Sequence, residues 1–312
     1  MISALQQALG ADFDRPEALR PGDEVRVLSP SSACDREPFA KGVQRLKDMG
    51  LRPTFAKNMR AKSDYLAGDD ALRLADLRQA LSEPELKFIW AARGGYGATR
   101  LLPALAQLRP ATPKLLIGFS DISALHALWF SRYGLCSLHA PVVTTLHDEP
   151  EDSLGHLHNI LTGHAQNLSL PLDAAANSGL PQNIKGTIFA SNLTLLATLA
   201  GTPYFADLSG CILCVEEVGE RPYHLDRLWT QIRQAGLLAG VEAIVLGDFY
   251  KCDEKDASLS AEDGLRHALR GLNIAVYRGL QMGHRAPNFA LPIGARARLG
   301  PGALGFIDNV VR

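Results

Sequence analysis

Two short runs without a polar residue, Phe88-Ile89-Trp90-Ala91-Ala92 and Leu115-Leu116-Ile117, restrict the fold more than any other feature. A strand that is apolar at every position is buried on both faces, the condition of a parallel sheet packed between helices. The segments around these runs agree. Glu24 to Pro30 reads as a strand stopped by proline, and Leu51 to Phe55 as a second. Between them Phe39, Val43 and Leu46 have helical spacing, and Gly50 is a stop signal. Asp70 to Ser82 repeats the pattern with Leu72, Leu74, Leu77 and Leu81, and Ala98 to Leu105 reads as a further helix. Strands alternating with helices to about residue 145 predict a doubly wound α/β domain over residues 1–148.

Residues 149–182 change character, being rich in Asp, His, Asn, Gly and Pro, and read as a linker with one short helical stretch near Leu154 to Leu161. Beyond it Ile184 to Phe189, Cys211 to Val218 and Ala243 to Leu246 are predicted strands. Asn192 to Ala200 and Tyr223 to Gly236 are predicted helices, and the end is broken into short Gly/Pro-punctuated segments. Residues 183–312 are therefore expected to form a smaller, mixed, β-rich domain. A chain of 312 residues has room for both.

Lys+Arg of 32 against Asp+Glu of 33 leaves a net charge of -1, which gives no electrostatic case for nucleic acid or an anionic membrane. No apolar run is long enough to span a bilayer, and Met1 to Leu9 lacks a secretory pattern. The five cysteines are scattered. Cys211 and Cys214 have C-x-x-C spacing but lie in an apolar strand, so packed thiols in a reducing cytoplasm are expected rather than a redox or zinc site.

The chemistry begins where the second apolar run ends, at Gly118-Phe119-Ser120-Asp121, followed at once by helical pattern. A serine on a strand-to-helix turn is presented like a nucleophile, although Ile122 stands where G-x-S-x-G requires glycine. Its competing role is that of a helix N-cap. Arg93-Gly94-Gly95-Tyr96-Gly97 follows a strand, and adjacent glycines let backbone N–H groups face a ligand; Gly95 and Asp121 are candidate oxyanion donors. A phosphate cradle is the weaker alternative, because neither G-x-G-x-x-G nor a P-loop lysine is present. Glu216 and Glu217 end an apolar strand and must face opposite sides, so one of them can enter a site. Either could instead simply begin a polar turn. Of nine histidines, His284 in Gly283-His284-Arg285-Ala286-Pro287 has the loop setting of a catalytic base. His126 is expected to be a packed or surface residue of its helix, His139 to mark a turn, and His156, His158 and His164 to be solvated.

These runs together, in order, resemble the LD-carboxypeptidase family of serine peptidases, which includes murein tetrapeptide carboxypeptidases and microcin-C immunity peptidases. The resemblance rests on Arg93 to Gly97, Ile117 to Ser123, Val215 to Tyr223 and Gly283-His284. It implies a Ser120, Glu216, His284 triad. It also implies a homodimer and metal-free, cofactor-free release of terminal D-alanine from a murein tetrapeptide in peptidoglycan recycling. Glu217 stands where the family's run has aspartate, Ser191 precedes Asn192 where glycine is common, and Ala140 follows His139 where glycine is usual. Arg93, Gly94, Tyr96 and Asn192 are the expected substrate-binding positions. The alternatives are hydrolysis of a microcin-like aminoacyl-nucleotide amide and non-catalytic muropeptide binding.

Overall fold

The computed structural model describes residues 13–173, 183–205, 207–256, 258–300 and 302–312. Its first sheet begins with β1 (Glu24–Leu28), α1 (Arg36–Asp48), β2 (Arg52–Phe55), α2 (Asp70–Ser82) and β3 (Phe88–Ala91). It continues through α3 (Leu102–Leu105), β4 (Leu115–Gly118), α4 (Ser123–Leu128) and β5 (Ser137–His139). Every residue of β3 and β4 is buried, as their apolar composition demands. Asp69 caps α2 by accepting from the Leu72 N–H at 2.8 Å. These five strands are parallel in the order β2-β1-β3-β4-β5, a doubly wound arrangement whose direction of winding reverses beside β1. Ligands of such sheets bind beyond the carboxyl ends of the strands at that reversal.

The segment from Glu149 onward is more integrated than its polarity suggests. Helix α5 (Glu151–Leu161) buries Leu154, Leu157, Ile160 and Leu161, and β6 (Ser169–Pro171) joins the second sheet. The rest of the expected linker, 174–182, lies outside the described residues, as does Met1 to Leu9. His156, expected in solvent, is buried on α5 and its Nε2 lies 2.9 Å from the Ala290 carbonyl oxygen.

The second sheet is mixed. Strands β7 (Ile184–Asn192), β8 (Cys211–Val218), β9 (Ala243–Tyr250) and β10 (Ala275–Tyr277) run parallel, with α6 (Leu193–Thr198), α7 (Pro222–Gln234) and α8 (Ala261–Ala268) between them. Helix α7 opens on proline and buries Leu225, Trp229 and Ile232, one face at helical spacing. Antiparallel β12 (Arg296–Gly300) and β13 (Ala303–Phe306) extend the sheet on the far side of β7. Strand β11 (Leu291–Ile293) leaves this region and pairs antiparallel with β5, becoming an edge strand of the first sheet.

Two local readings change. Ala98 to Leu105 is a 3-10 turn, Ala98–Leu101, followed by a single α-turn, because Pro103 at its start has no N–H for a longer ladder. His139 is not at a turn. It ends β5 between Gly118 and Leu291, fully buried. Cys211 and Cys214 are buried in β8, and burial pushes the Cys211 thiol up to about 12.

Candidate active site

Three loops at the carboxyl edge of the first sheet converge. After β1 comes Ser29-Pro30-Ser31-Ser32, after β3 the Arg93 to Gly97 loop, and after β4 the turn carrying Ser120. Asp121 ties them together. Its buried carboxylate accepts from the Ser31 hydroxyl at 2.6 Å and from the Ala98 N–H at 2.8 Å. The buried Arg73 guanidinium donates to the Pro30 and Gly97 carbonyls, bracing two of the loops from behind. Ser32 completes the bracket: its N–H donates to the Gly94 carbonyl at 3.1 Å and its Oγ accepts from the Tyr96 N–H at 3.2 Å. Sequence reasoning passed over Ser31, Ser32 and Arg73. The signal available was a small-residue loop at the winding reversal of a parallel sheet.

Ser120 has φ of 63°, a left-handed conformation that costs a non-glycine residue about 1–2 kcal/mol. It opens the 3-10 turn Ser120–Ile122, and Phe119 occupies the cap position. The Ser120 hydroxyl does not cap the turn; its Oγ lies 3.0 Å from His284 Nε2. The other ring nitrogen, Nδ1, lies 2.7 Å from Glu216 Oε2. Glu216 is fully buried at the end of β8, and its Oε1 has no hydrogen-bond partner among the described residues. Residues from distant parts of the chain thus form a continuous serine–histidine–carboxylate line.

The two adjacent acids divide as strand geometry requires. Glu217 points away from His284 and takes three donors: Asn192 Nδ2 at 2.9 Å, the Thr194 N–H at 2.8 Å and the Val218 N–H at 2.8 Å. Asn192 is buried, holds Glu217, and caps α6 by accepting from the Leu195 N–H at 3.2 Å. Its side chain thus bonds protein groups through both its amide nitrogen and its oxygen.

His284 sits in a loop pinned at both ends. The Gly283 N–H donates to Asn288 Oδ1 at 3.0 Å, and the Asn288 N–H donates to buried Glu149 at 2.9 Å. Gly283 has φ of 140°, and a Cβ there would lie 3.2 Å from Glu216 Oε2. A side chain at this position would crowd the carboxylate. Nothing in the sequence singles out Glu149, one of four acids between Asp148 and Asp152 and 135 residues from the histidine whose loop it steadies.

Burial alone would lower the His284 pKa. The hydrogen bond and charge of Glu216, with Glu217 and Asp248 nearby, outweigh it and hold the imidazole above its ordinary value. The Phe119 ring lies 4.8 Å from that of His284 and covers it on one side. His126 is fully buried, its Nε2 2.8 Å from the Gly118 carbonyl oxygen, and burial brings it down to about 4.

The remaining expected positions surround Ser120. A Cβ on Gly94 would lie 3.0 Å from the Ser120 Cβ, so the glycine allows this close approach. The Gly95 and Asp121 N–H groups donate to no other group among the described residues. Arg93 is exposed, with Nη1 donating to the Ala33 carbonyl at 2.8 Å. Tyr96 is exposed and its ring lies 5.7 Å from that of Tyr65. Among the described residues no three His, Cys, Asp or Glu side chains gather as metal ligands, and no helix is long and apolar enough to cross a membrane.

Comparison with known proteins agrees with this architecture. Residues 25–140 match the LD-carboxypeptidase N-terminal domain and residues 185–299 the LD-carboxypeptidase C-terminal domain. The murein tetrapeptide carboxypeptidase of Pseudomonas aeruginosa is 33% identical over 288 residues, covering 88% of this chain and 92% of that protein. The crystal structure of a muramoyltetrapeptide carboxypeptidase from Oxalobacter formigenes superposes with a TM-score of 0.78 at 28% identity, over 91% of this chain and all of that one. A structure of MccF with glutamyl sulfamoyl guanosine has the same fold, with a TM-score of 0.82 at 20% identity over 96% of this chain and 99% of that one. The chain belongs to the LD-carboxypeptidase family and is a serine-type carboxypeptidase.

Proposed function

We propose that the protein releases terminal D-alanine from murein tetrapeptides through an acyl-enzyme formed on Ser120. The observation that carries this reading is the unbroken line from Ser120 Oγ through His284 to Glu216, at 3.0 and 2.7 Å. His284 Nε2 takes the hydroxyl proton as Oγ attacks the carbonyl that joins the third residue to D-alanine. Glu216 accepts from Nδ1–H, which keeps Nε2 free to act as base and stabilises the imidazolium that forms. The tetrahedral oxyanion takes donors from the N–H groups of Asp121 and Gly95. The imidazolium then protonates the leaving nitrogen, and free D-alanine departs. Water, deprotonated by the same imidazole, attacks the ester and restores the Ser120 hydroxyl.

Relatives named for murein tetrapeptides and a site open at the Arg93 and Tyr96 side support this substrate. Arg93 supplies the cation for the terminal carboxylate, its remaining donors being turned to solvent. The reaction shortens stem peptides released from the wall, a step of recycling. The test is mass spectrometry of a disaccharide-tetrapeptide incubated with wild type and with Ser120→Ala. Loss of one D-alanine with wild type alone is the expected result. No loss from several stem peptides, with the protein folded, overturns the reading in favour of an aminoacyl-nucleotide amide or simple binding.

A further inference from the structure

Helix α4 buries a histidine that takes no part in the proton transfers of acyl transfer. His126 is the fourth residue of that helix and is fully buried. Side chains on a helix lean toward its N-terminus, so the ring reaches back toward the end of β4. There its Nε2 meets the Gly118 carbonyl oxygen. A carbonyl only accepts, so Nε2 carries the proton and Nδ1 is bare, with no partner among the described residues. Burial holds the ring in its neutral form, in which this is its single N–H.

The bond fixes the peptide that leads into the nucleophile. The Gly118 carbonyl takes a second donor, the Ala140 N–H, at 3.1 Å. With two donors on one oxygen, the plane of the Gly118–Phe119 peptide is held from two sides. The Phe119 side chain is held as well. Its ring lies 5.8 Å from that of buried His139, in an edge contact, and on His284 at 4.8 Å. His139 in turn lies 6.5 Å from His126, ring centre to ring centre. Residue 119 is thus clamped through its backbone by one histidine and through its side chain between two others.

The next residue is Ser120, in the left-handed conformation. A non-glycine residue stays there only where its surroundings over-determine the backbone. On the following side the Asp121 carboxylate anchors the turn to Ser31 and Ala98. On the preceding side His126 supplies the side-chain anchor. Rotation of the Gly118–Phe119 peptide would carry Ser120 Oγ away from His284 Nε2 and lift the Phe119 ring from the imidazole.

We propose that His126 is a positioning residue for the nucleophile: its Nε2–H holds the Gly118 carbonyl and so keeps Ser120 in the backbone conformation that faces His284. The proposal rests on the reading of Ser120 as nucleophile. His126 touches no reacting atom, so it acts on the acylation step and not on substrate binding.

The experiment compares wild type with His126→Leu, which removes the N–H, and His126→Gln, whose amide nitrogen can donate from the place of Nε2. Two reactions are read. One is D-alanine release from a disaccharide-tetrapeptide, as kcat and KM. The other is phosphonylation by a fluorophosphonate, in which Ser120 Oγ displaces fluoride and no peptide subsite is needed. Misplacing a reacting atom by about 1 Å costs on the order of 10²-fold. His126→Leu is therefore expected to lower kcat and the phosphonylation rate about 10- to 100-fold, with KM changed less than about threefold. His126→Gln is expected to keep both rates within about fivefold of wild type. Circular dichroism and thermal melting check the fold. Should His126→Leu not fold, His126→Met takes its place, an adaptable side chain that also lacks the N–H. Failure of both to fold makes His126 a residue of stability and overturns the assignment. So do rates in the folded apolar variant within about threefold of wild type, a loss confined to KM, or a glutamine variant as slow as the apolar one. Phosphonylation of wild type without D-alanine release overturns the substrate reading alone, and the labelling rates then decide the role of His126. Neither reaction in wild type overturns both.

Discussion

Replacing Glu216 by glutamine changes one oxygen to an NH2 and removes the charge, with almost no change in volume. The consequence can be worked out from its surroundings. In the wild type one oxygen meets His284 Nδ1 at 2.7 Å, and the other is buried with no partner among the described residues. The amide has two orientations. With its carbonyl toward Nδ1–H the correct tautomer survives, but the NH2 is buried without an acceptor at a cost of about 1–3 kcal/mol. With NH2 toward Nδ1 that cost disappears, but the proton moves to Nε2, which can no longer accept from Ser120. The second orientation is favoured, so the competent tautomer falls about 5- to 150-fold. Loss of the negative charge removes the stabilisation of the imidazolium as well. Together these effects are expected to lower kcat for D-alanine release by about 10³- to 10⁴-fold, comparable with the loss of the carboxylate in a serine protease triad. Circular dichroism should show an intact fold. Glu217→Gln is the control: it faces three donors with one NH2, so the expected loss is about 1–3 kcal/mol of stability and less than tenfold in kcat. Activity in folded Glu216→Gln within tenfold of wild type, or a greater kcat loss in Glu217→Gln, would refute the assignment of the acid.

Gly95 has φ of 101°, and a Cβ there would fall 2.3 Å from Ser32 Oγ, so Gly95→Ala is expected to displace a proposed oxyanion donor and lower kcat about 10²-fold or more. Steady-state kinetics showing a change in KM alone would count against that role. The raised His284 pKa places the acid limb of kcat/KM above the ordinary imidazole value of about 6.5, and Glu216→Gln should move the limb to lower pH. A profile flat across that limb would remove His284 as the base. Because this pKa is higher folded than unfolded, the His284–Glu216 pair contributes stability fully below about pH 6.5 and loses it as pH rises through the folded value. Urea unfolding of wild type and Glu216→Gln should therefore differ more at pH 5.5 than at pH 9, and a constant difference would contradict the coupling. Glu149→Ala strands the buried Asn288 N–H and the Ser153 hydroxyl, which lies 2.7 Å from Glu149, and is expected to cost about 1–3 kcal/mol. An unchanged melting temperature would show that water replaces the carboxylate.

Much of this molecule is legible in its sequence because much of it is set by burial. Runs such as Phe88-Ile89-Trp90-Ala91 can only be two-sided strands, and the helices between them repeat at helical spacing. Ser120 was visible for a local reason, a serine on a strand-to-helix turn, and the split between Glu216 and Glu217 followed from strand alternation. Their meeting with His284 was not readable from local pattern, and rested on resemblance. What stayed hidden depends on contacts between residues far apart in the chain. Glu149 reaches Asn288 across 139 positions, and Ser31 reaches Asp121 across 90. His156 was misread because polarity in its segment suggested solvent, whereas a single carbonyl from Ala290 satisfies it in the interior. The family resemblance supplied Asn192 as a substrate contact, and local pattern gave no sign that it also holds Glu217 and caps the start of α6.

Strand β11 has a consequence for how the chain is made. Residues 291–293 close the edge of β5, whose partner His139 was synthesised about 150 residues earlier. At about 5–20 residues per second that interval is roughly 8–30 s. Until β11 pairs, β5 is an open edge in addition to β2, the kind of surface that recruits strands from neighbouring chains. The loop carrying His284 lies immediately before β11, so the segment that pairs with β5 is made directly after the proposed base. Pairing of β11 with β5 and delivery of the proposed base to Ser120 thus depend on the same late stretch of chain.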